Sequence, residues 1–384
     1  MDDERNMGNK AIFKDLPASL IQDMLYECPR VGKEIGASFN MINKNKNHLR
    51  AKLQRLKVIA NEKQFISENL YPTTAGIDGA YAVERLLALD LITVAAVISE
   101  GIPPTEEKAI FNDVKHKAKV LSSEHNPHTN AFSKGLMSEM EMGIIEKARH
   151  DIIMMDGSLS TPIIAINQVL PRFNEMPRDL KGIFVDYLSE SLEIYLNTLT
   201  KNPDESIIIG IPKYTSKGKI TDCLGLSGFD DRALLTFLLL PGECTTPRQV
   251  DLDGSQQRLF EKAQISVKEK RLLQTCNRFM KDIYILYYKP HPWMPTITIE
   301  FSKNIADRAS HIGIVLEAIK EQTIAPSIME PYPTYIADRF VKHLNAALPV
   351  LKDVTSVDVV RNWKDEIKSN LILALHSYRS DIGR

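Results

Sequence analysis

The sequence predicts an α/β protein in which a sheet is flanked by helices. Short segments rich in apolar and β-branched residues, such as residues 91–99 (LITVAAVIS), are typical of buried strands. Longer segments such as residues 133–150 carry apolar residues at helical spacing. Two apolar segments end in Asp-Gly, at Asp78-Gly79 and at Asp156-Gly157. We therefore expect strands that deliver carboxylates to their ends, where a glycine lets the backbone turn away.

The composition is that of a globular chain with room for a large core. The 384 residues are 43% hydrophobic and 25% charged, which fits one large domain with an appendage or two domains. The net charge of −1 means that any nucleic-acid site must be a local patch. The four cysteines form no C-x-x-C pair, which argues against a zinc site or a disulfide scaffold.

The sequence also predicts a cytoplasmic protein with no membrane contact. Its charged beginning (MDDERNMGNK) lacks the apolar segment of a signal peptide. No apolar run reaches the roughly 18 residues that a membrane span requires.

Residues 1–70 are predicted to be a helical extension, separate from residues 71–384. Helices are expected over residues 15–27 and 41–61. The second carries Ile42, Leu49 and Leu53 on one stripe, surrounded by lysines and arginines. That surface would dock a partner helix, a second protomer or a DNA backbone; the alternative is a solvated helix face with a core-facing stripe.

Three acids are the first candidates for a shared site. Asp156 follows the apolar segment 152–155, and Asp78 follows a similar short segment. Glu141 lies within the apolar stripe of helix 133–150, four residues from both Met137 and Ile145. A carboxylate on a buried stripe must be paired, protonated or bound to a metal, so a salt bridge to Arg or Lys is the alternative for Glu141.

Further candidates come from later segments. Asp338 lies in the first turns of a helix that opens with prolines, where it is either a fourth acid or an aspartate favoured by the helix dipole. Lys213 follows the strand 206–211 and would hold a phosphate or a carboxylate. His125 and His128 flank an Asn-Pro turn, so we interpret them as loop residues rather than metal ligands.

These carboxylates indicate metal-dependent hydrolysis. Mg²⁺ and Mn²⁺ prefer oxygen ligands, and two such ions about 3.5–4 Å apart activate a water and stabilise the leaving oxygen in phosphodiester cleavage. The sequence has no Walker A loop, no G-x-S-x-G elbow, no H-E-x-x-H motif and no Rossmann fingerprint.

Several segments, taken in order, resemble the NurA family of DNA nucleases. They cover roughly residues 71–350 and comprise AGIDGA, a helix acid followed by IIMMDGSL, IIIGIPKYTSK, LLLPGE, YILYYK with ITIEF, and EPYPTYIADRF. The chain departs from the family pattern at two places. Glu330 stands where a tyrosine often lies eight residues before the late Asp or His, and Gly79-Ala80 replaces the more usual Gly-Ser.

The resemblance implies an RNase H-like mixed-sheet nuclease core flanked by helices, with residues 1–70 as the N-terminal helical extension. It implies a homodimer that degrades single- and double-stranded DNA with manganese, or magnesium, beside a hexameric HerA/FtsK-like ATPase. DNA end processing, repair and antiviral defence against phage are the implied roles. The implied metal ligands and phosphate contact are Asp78, Asp156, Glu141 (with Glu139 as the alternative), Asp338 and Lys213.

The leading functional prediction is therefore a metal-dependent deoxyribonuclease. A DNA-binding or scaffolding subunit of the ATPase complex that cleaves nothing is the alternative from another class. An enzyme acting on RNA–DNA hybrids would share the chemistry, because phosphate contacts carry little information about the sugar.

Overall fold

A computed structural model describes residues 16–66, 71–86, 89–111, 113–213, 219–226, 229–250 and 263–363. In these residues, ten strands form one sheet, and ten α-helices surround it. The strands are Ile59–Asn61 (β1), Thr74–Arg85 (β2), Asp90–Glu100 (β3), Lys115–Ser123 (β4), Ile152–Met155 (β5), Ile207–Gly210 (β6), Glu243–Thr245 (β7), Arg248–Gln249 (β8), Ile283–Lys289 (β9) and Ile297–Ser302 (β10). The helices are Ala18–Arg55 (α1), Thr129–Ile144 (α2), Thr161–Val169 (α3), Arg178–Thr200 (α4), Lys219–Leu224 (α5), Asp231–Leu238 (α6), Val267–Phe279 (α7), Lys303–Ala306 (α8), Ala309–Gln322 (α9) and Tyr332–Trp363 (α10).

One half of the sheet has the topology of an RNase H-like core. The strand order is β1-β7-β9-β10-β6-β5-β2-β3-β4, and β8 pairs with β9. β2, β3 and β4 form an antiparallel meander, whereas β5 and β6 run parallel to β2. Parallel neighbours need a crossover, which α2 supplies between the meander and β5. The predicted α/β class with an RNase H-like core is confirmed.

Both faces of the central strands are covered, which explains their nearly continuous apolar sequences. Along β5, Ile153 and Met155 pack into the cluster that contains the buried residues of α2, α3 and α4. The alternate residues, Ile152 and Met154, pack into a second cluster with α9. The strand therefore has no solvated face, and it ends at the first charged residue, Asp156.

The N-terminal helix differs from its prediction. Two helices were expected, over residues 15–27 and 41–61, but the structure has one continuous helix, α1, that runs through Pro29. Its second half buries Ile42, Leu49 and Leu53 against α5 and α6. Strand β1 follows it and joins the sheet through β7. The division into residues 1–70 and 71–384 stays a prediction.

In the described parts of the chain, no helix combines the length and the apolar character needed to cross a membrane.

Candidate metal centre

Asp156 lies where β5 ends and the chain turns. Its N–H donates to Ile77 O at 2.8 Å, which fixes the first residue after the strand against β2. Gly157 has φ +125°, a conformation that side-chain-bearing residues rarely adopt. Gly210 on β6 leaves room for this turn, because a β-carbon there would lie 2.8 Å from Gly157 O. Asp156 is thus held at the sheet end by its neighbours on both sides.

A buried glutamate fixes the same turn from the far strand β10. Glu300 accepts hydrogen bonds from Ser158 Oγ at 2.6 Å and from the N–H of Leu159 at 3.0 Å. The alternating sequence of β10 (ITIEFS) predicts that Glu300 faces solvent, but only 6% of the residue is exposed. Both faces of β10 are buried, so alternation of residue types no longer reports which side faces solvent.

Asp78 reaches the same place from the middle of β2. It was expected to end a strand, but β2 continues to Arg85 while its parallel partner β5 stops. The last parallel pair is Ile77 with Met155, so Asp78 lies directly beyond the end of β5. The Asp78 carboxylate accepts a hydrogen bond from the N–H of Gly79 at 2.8 Å.

Asp338 is supplied by α10, which crosses β2 at very close range. A β-carbon on Gly76 would lie 2.2 Å from the carbonyl carbon of Pro333, so a glycine is required at this crossing. Ser99 Oγ donates to Pro333 O at 2.6 Å and ties the same turn of the helix to β3. Asp338 is buried and pairs with Lys342 one helical turn later.

Three of these carboxylates meet. Asp78, Asp156 and Asp338 each offer an oxygen, and all three oxygens lie within 4.8 Å of one another. Hard divalent cations such as Mg²⁺ and Mn²⁺ prefer an all-oxygen donor set of this kind. The residues present therefore fit such an ion.

Lys213 lies among these acids. Its ammonium is 2.8 Å from Asp156 Oδ2, 3.2 Å from Glu330 Oε2 and 3.8 Å from Asp338 Oδ1. Burial alone would lower the pKa of Lys213, but the hydrogen bond and charge of Asp156, together with Glu330 and Asp338, raise that pKa above its ordinary value. The lysine therefore stays charged and partly neutralises the cluster.

The two glutamates predicted for α2 lie in different environments. Glu141 lies over the backbone of Gly79, where a β-carbon would be 2.7 Å from both its Cγ and its Oε1. Glu139 is also buried, but its charged neighbour is Glu269 on α7, and neither of its carboxylate oxygens has a hydrogen-bond partner among the described residues. The structure thus brings Glu141, and not Glu139, to the aspartates.

Crowding raises the proton affinity of the acids. Burial first, and then the charges of Asp156 and Glu141, raise the pKa of Asp78 to about 8. Burial and the charge of Asp156 raise the pKa of Glu141 to about 8. Burial raises the pKa of Asp156 as well, against the opposing effect of Lys213. The cluster thus has an excess of carboxylates over nearby cations, which favours a bound cation.

Two residues at the site, Glu330 and Glu300, were not among the site residues predicted from the sequence. Glu330 was noted only as a departure from the family pattern, yet its carboxylate lies against Lys213. Glu300 acts through the turn that carries Asp156, whereas the alternating pattern of its strand predicts a solvent-exposed residue. The histidine pair behaves as expected of a loop: His125 Nδ1 lies 2.8 Å from the buried Asp90, and His128 precedes α2.

The sheet and its acids together define an α/β protein with an RNase H-like core and an acidic site beyond the end of its central parallel strands. Solved NurA nucleases have the same fold. The NurA nuclease from Sulfolobus solfataricus aligns with 86% of this chain and 98% of its own, at a TM-score of 0.55 and 11% identity. A NurA structure with manganese also aligns with 86% of this chain and 98% of its own, at a TM-score of 0.51 and 10% identity. One bound to dAMP and manganese aligns with 81% of this chain and 93% of its own, at a TM-score of 0.51 and 10% identity.

The chain therefore has the NurA nuclease fold, as the sequence predicted. The sequence matches no protein-family model and no curated protein.

Proposed function

We propose that this protein is a metal-dependent deoxyribonuclease that hydrolyses phosphodiester bonds with Mn²⁺ or Mg²⁺. The observation that carries the proposal is the convergence of Asp78, Asp156 and Asp338 within 4.8 Å on an RNase H-like sheet. Such a donor set suits divalent metals. Manganese in two solved NurA structures and dAMP in one of them support the choice of metal and substrate class.

Each residue has a distinct part in this proposal. Asp78, Asp156 and Asp338 would hold the cation, with Glu141 completing the set of ligands from the α2 side. A bound divalent cation supplies Lewis-acid chemistry, and a pair of them would serve both the attacking and the leaving oxygen. Lys213, with its ammonium among the acids, would contact a non-bridging oxygen of the scissile phosphate and neutralise developing charge. Glu300 would keep the turn after Asp156 in place.

The setting proposed for this activity is a homodimer docked on a HerA/FtsK-like hexameric ATPase in the cytoplasm, in DNA end processing, repair or phage defence. The NurA fold supports this setting. Part of the α1 surface supports docking: its first half carries apolar residues, including Met24, Val31 and Ile35, that the described part of the chain leaves exposed.

The test is degradation of end-labelled single- and double-stranded DNA, and of an RNA–DNA hybrid, with Mn²⁺, Mg²⁺ or EDTA, with and without the ATPase. We expect metal-dependent cleavage by the wild type and none by Asp156→Asn, which keeps the shape of the side chain but removes its charge. Full activity in that variant would refute the site. Absence of wild-type cleavage under every condition, with ATPase binding retained, would favour the scaffolding subunit.

A further inference from the structure

Lys213 and a bound cation compete for the same carboxylate. The ammonium hydrogen-bonds to Asp156 Oδ2 at 2.8 Å, and this oxygen belongs to a carboxylate of the three-acid cluster. Two positive charges on one carboxylate repel each other. A cation that binds Asp156 must therefore weaken the hold of that residue on Lys213, and the lysine needs another anionic partner if it is to stay at the site.

Glu330 is placed to be that partner. Its Oε2 is buried and lies 3.2 Å from Lys213 Nζ in an ion pair, but among the described residues it makes no well-aligned hydrogen bond. A buried carboxylate oxygen that lacks a good hydrogen bond is costly, so a small movement of the ammonium towards Glu330 would turn this ion pair into a hydrogen-bonded one. Glu330 lies outside the three-acid cluster, which leaves it available when the cluster holds a cation.

The surroundings leave Lys213 room to move and hold Glu330 in a fixed position. A cavity of about 290 Å³ opens beside Lys213 and Glu330, with Arg232 in its wall. Glu330 lies two residues before the start of α10, whose first turn is closed by a hydrogen bond from the N–H of Tyr335 to Pro331 O at 3.0 Å. The glutamate is therefore anchored by the same helix that carries Asp338.

We propose that Glu330 is a positioning residue that receives the Lys213 ammonium when a divalent cation takes Asp156, and so keeps Lys213 within reach of the scissile phosphate. This inference rests on the proposed nuclease function for its catalytic consequence. Its effect on cation binding is independent of that function.

The experiment is a double-mutant cycle on the full chain. Glu330→Gln, Lys213→Met and the double variant are compared with the wild type, and Glu190→Gln on the exposed face of α4 serves as the matched control. Mn²⁺ affinity is measured from the electron paramagnetic resonance signal of free Mn²⁺, and cleavage of end-labelled DNA is measured at saturating Mn²⁺. Thermal melting reports folding, and Glu330→Asp, which keeps the charge, tests rescue.

Glu330→Gln is expected to lower the cleavage rate at saturating Mn²⁺ on the order of tenfold and to weaken Mn²⁺ binding several-fold. Both effects should shrink to less than about twofold in the Lys213→Met background, because the lysine through which Glu330 acts is gone. Lys213→Met alone should tighten Mn²⁺ binding, and Glu330→Asp should recover part of the rate.

Two results would overturn the inference. Equal weakening of Mn²⁺ binding by Glu330→Gln in both backgrounds would make Glu330 a direct cation ligand instead. If Glu330→Gln behaves like the control Glu190→Gln in both measurements, Glu330 has no role at the site. If the wild type cleaves no DNA, the nuclease proposal fails, and the Mn²⁺-binding cycle still decides whether Glu330 positions Lys213.

Discussion

The substitution Asp78→Asn is expected to stabilise the metal-free protein while it removes function. In the folded chain, burial and the neighbouring acids raise the pKa of Asp78 from an ordinary value of 3.8 to about 8. The unfolded chain therefore releases this proton near pH 4, whereas the folded chain keeps it up to about pH 8. Between those values the unfolded chain binds fewer protons, so the free energy of unfolding falls as the pH rises.

The size of the expected stabilisation follows from the shift in the pKa of Asp78. Each pH unit across which the two states differ costs about 1.4 kcal/mol, so at pH 7.5 the penalty reaches at most about 5 kcal/mol. Asparagine carries no charge at any pH, and its side-chain oxygen still accepts from the N–H of Gly79. We expect Asp78→Asn to raise the free energy of unfolding by about 1–4 kcal/mol at pH 7.5 in EDTA, and by much less at pH 5.

Urea denaturation at both pH values measures this difference. Asp186→Asn, on the exposed side of α4, is the matched control and should change stability by less than about 0.5 kcal/mol. Mn²⁺ should raise the melting temperature of the wild type more than that of Asp78→Asn. The reasoning fails if Asp78→Asn is no more stable than the wild type at pH 7.5, or if its gain is as large at pH 5.

Three other outcomes are expected. Because Asp78 and Glu141 have pKa values of about 8, a bound cation must displace their protons below that pH. Calorimetry should therefore show a Mn²⁺ affinity that rises from pH 6 to 8, by up to about tenfold per pH unit for each proton displaced, and levels off above. Gly79→Ala forces a methyl group against Glu141 and should weaken Mn²⁺ binding in a titration, whereas Gly182→Ala, with open space around it, should not. Glu300→Leu leaves the buried N–H of Leu159 without an acceptor and removes one acceptor of Ser158 Oγ, so it should lower the free energy of unfolding by about 1–3 kcal/mol in urea.

Each of these three predictions would be contradicted by a specific result. A Mn²⁺ affinity that is flat from pH 6 to 8 would mean that the acids are already ionised without metal. Equal Mn²⁺ affinities for the two alanine variants would show that Glu141 moves aside without loss. A Glu300→Leu protein as stable as the wild type would mean that water replaces the carboxylate.

The parts of the site that depend on local sequence were predictable. Asp156 was placed correctly after its strand, because an apolar segment that ends in Asp-Gly specifies both the strand and its turn. Helical periodicity also selected the face of α2 that carries Glu141, which the structure places over Gly79, whereas Glu139 lies beside Glu269. Whether these residues bind a metal stays a prediction.

The parts that depend on neighbouring strands were not predictable. Asp78 lies within β2, and what sets it apart is the end of β5, a property of another segment. Glu300 was misplaced because the pattern of β10 cannot reveal that both of its faces are covered. The helix α1 was divided in two because Pro29 and two glycines lie in residues 28–40, where they lower helix propensity.

The crossing of α10 over Gly76 has a consequence for the time at which the acidic site forms during synthesis. Asp78 is made early and Asp338 late, and a ribosome adds roughly 5–20 residues per second. The cluster therefore stays incomplete for a period on the order of tens of seconds, until α10 has left the ribosome and docked on β2. The chain therefore acquires its full set of carboxylates only after all ten described strands of the supporting sheet have been synthesised.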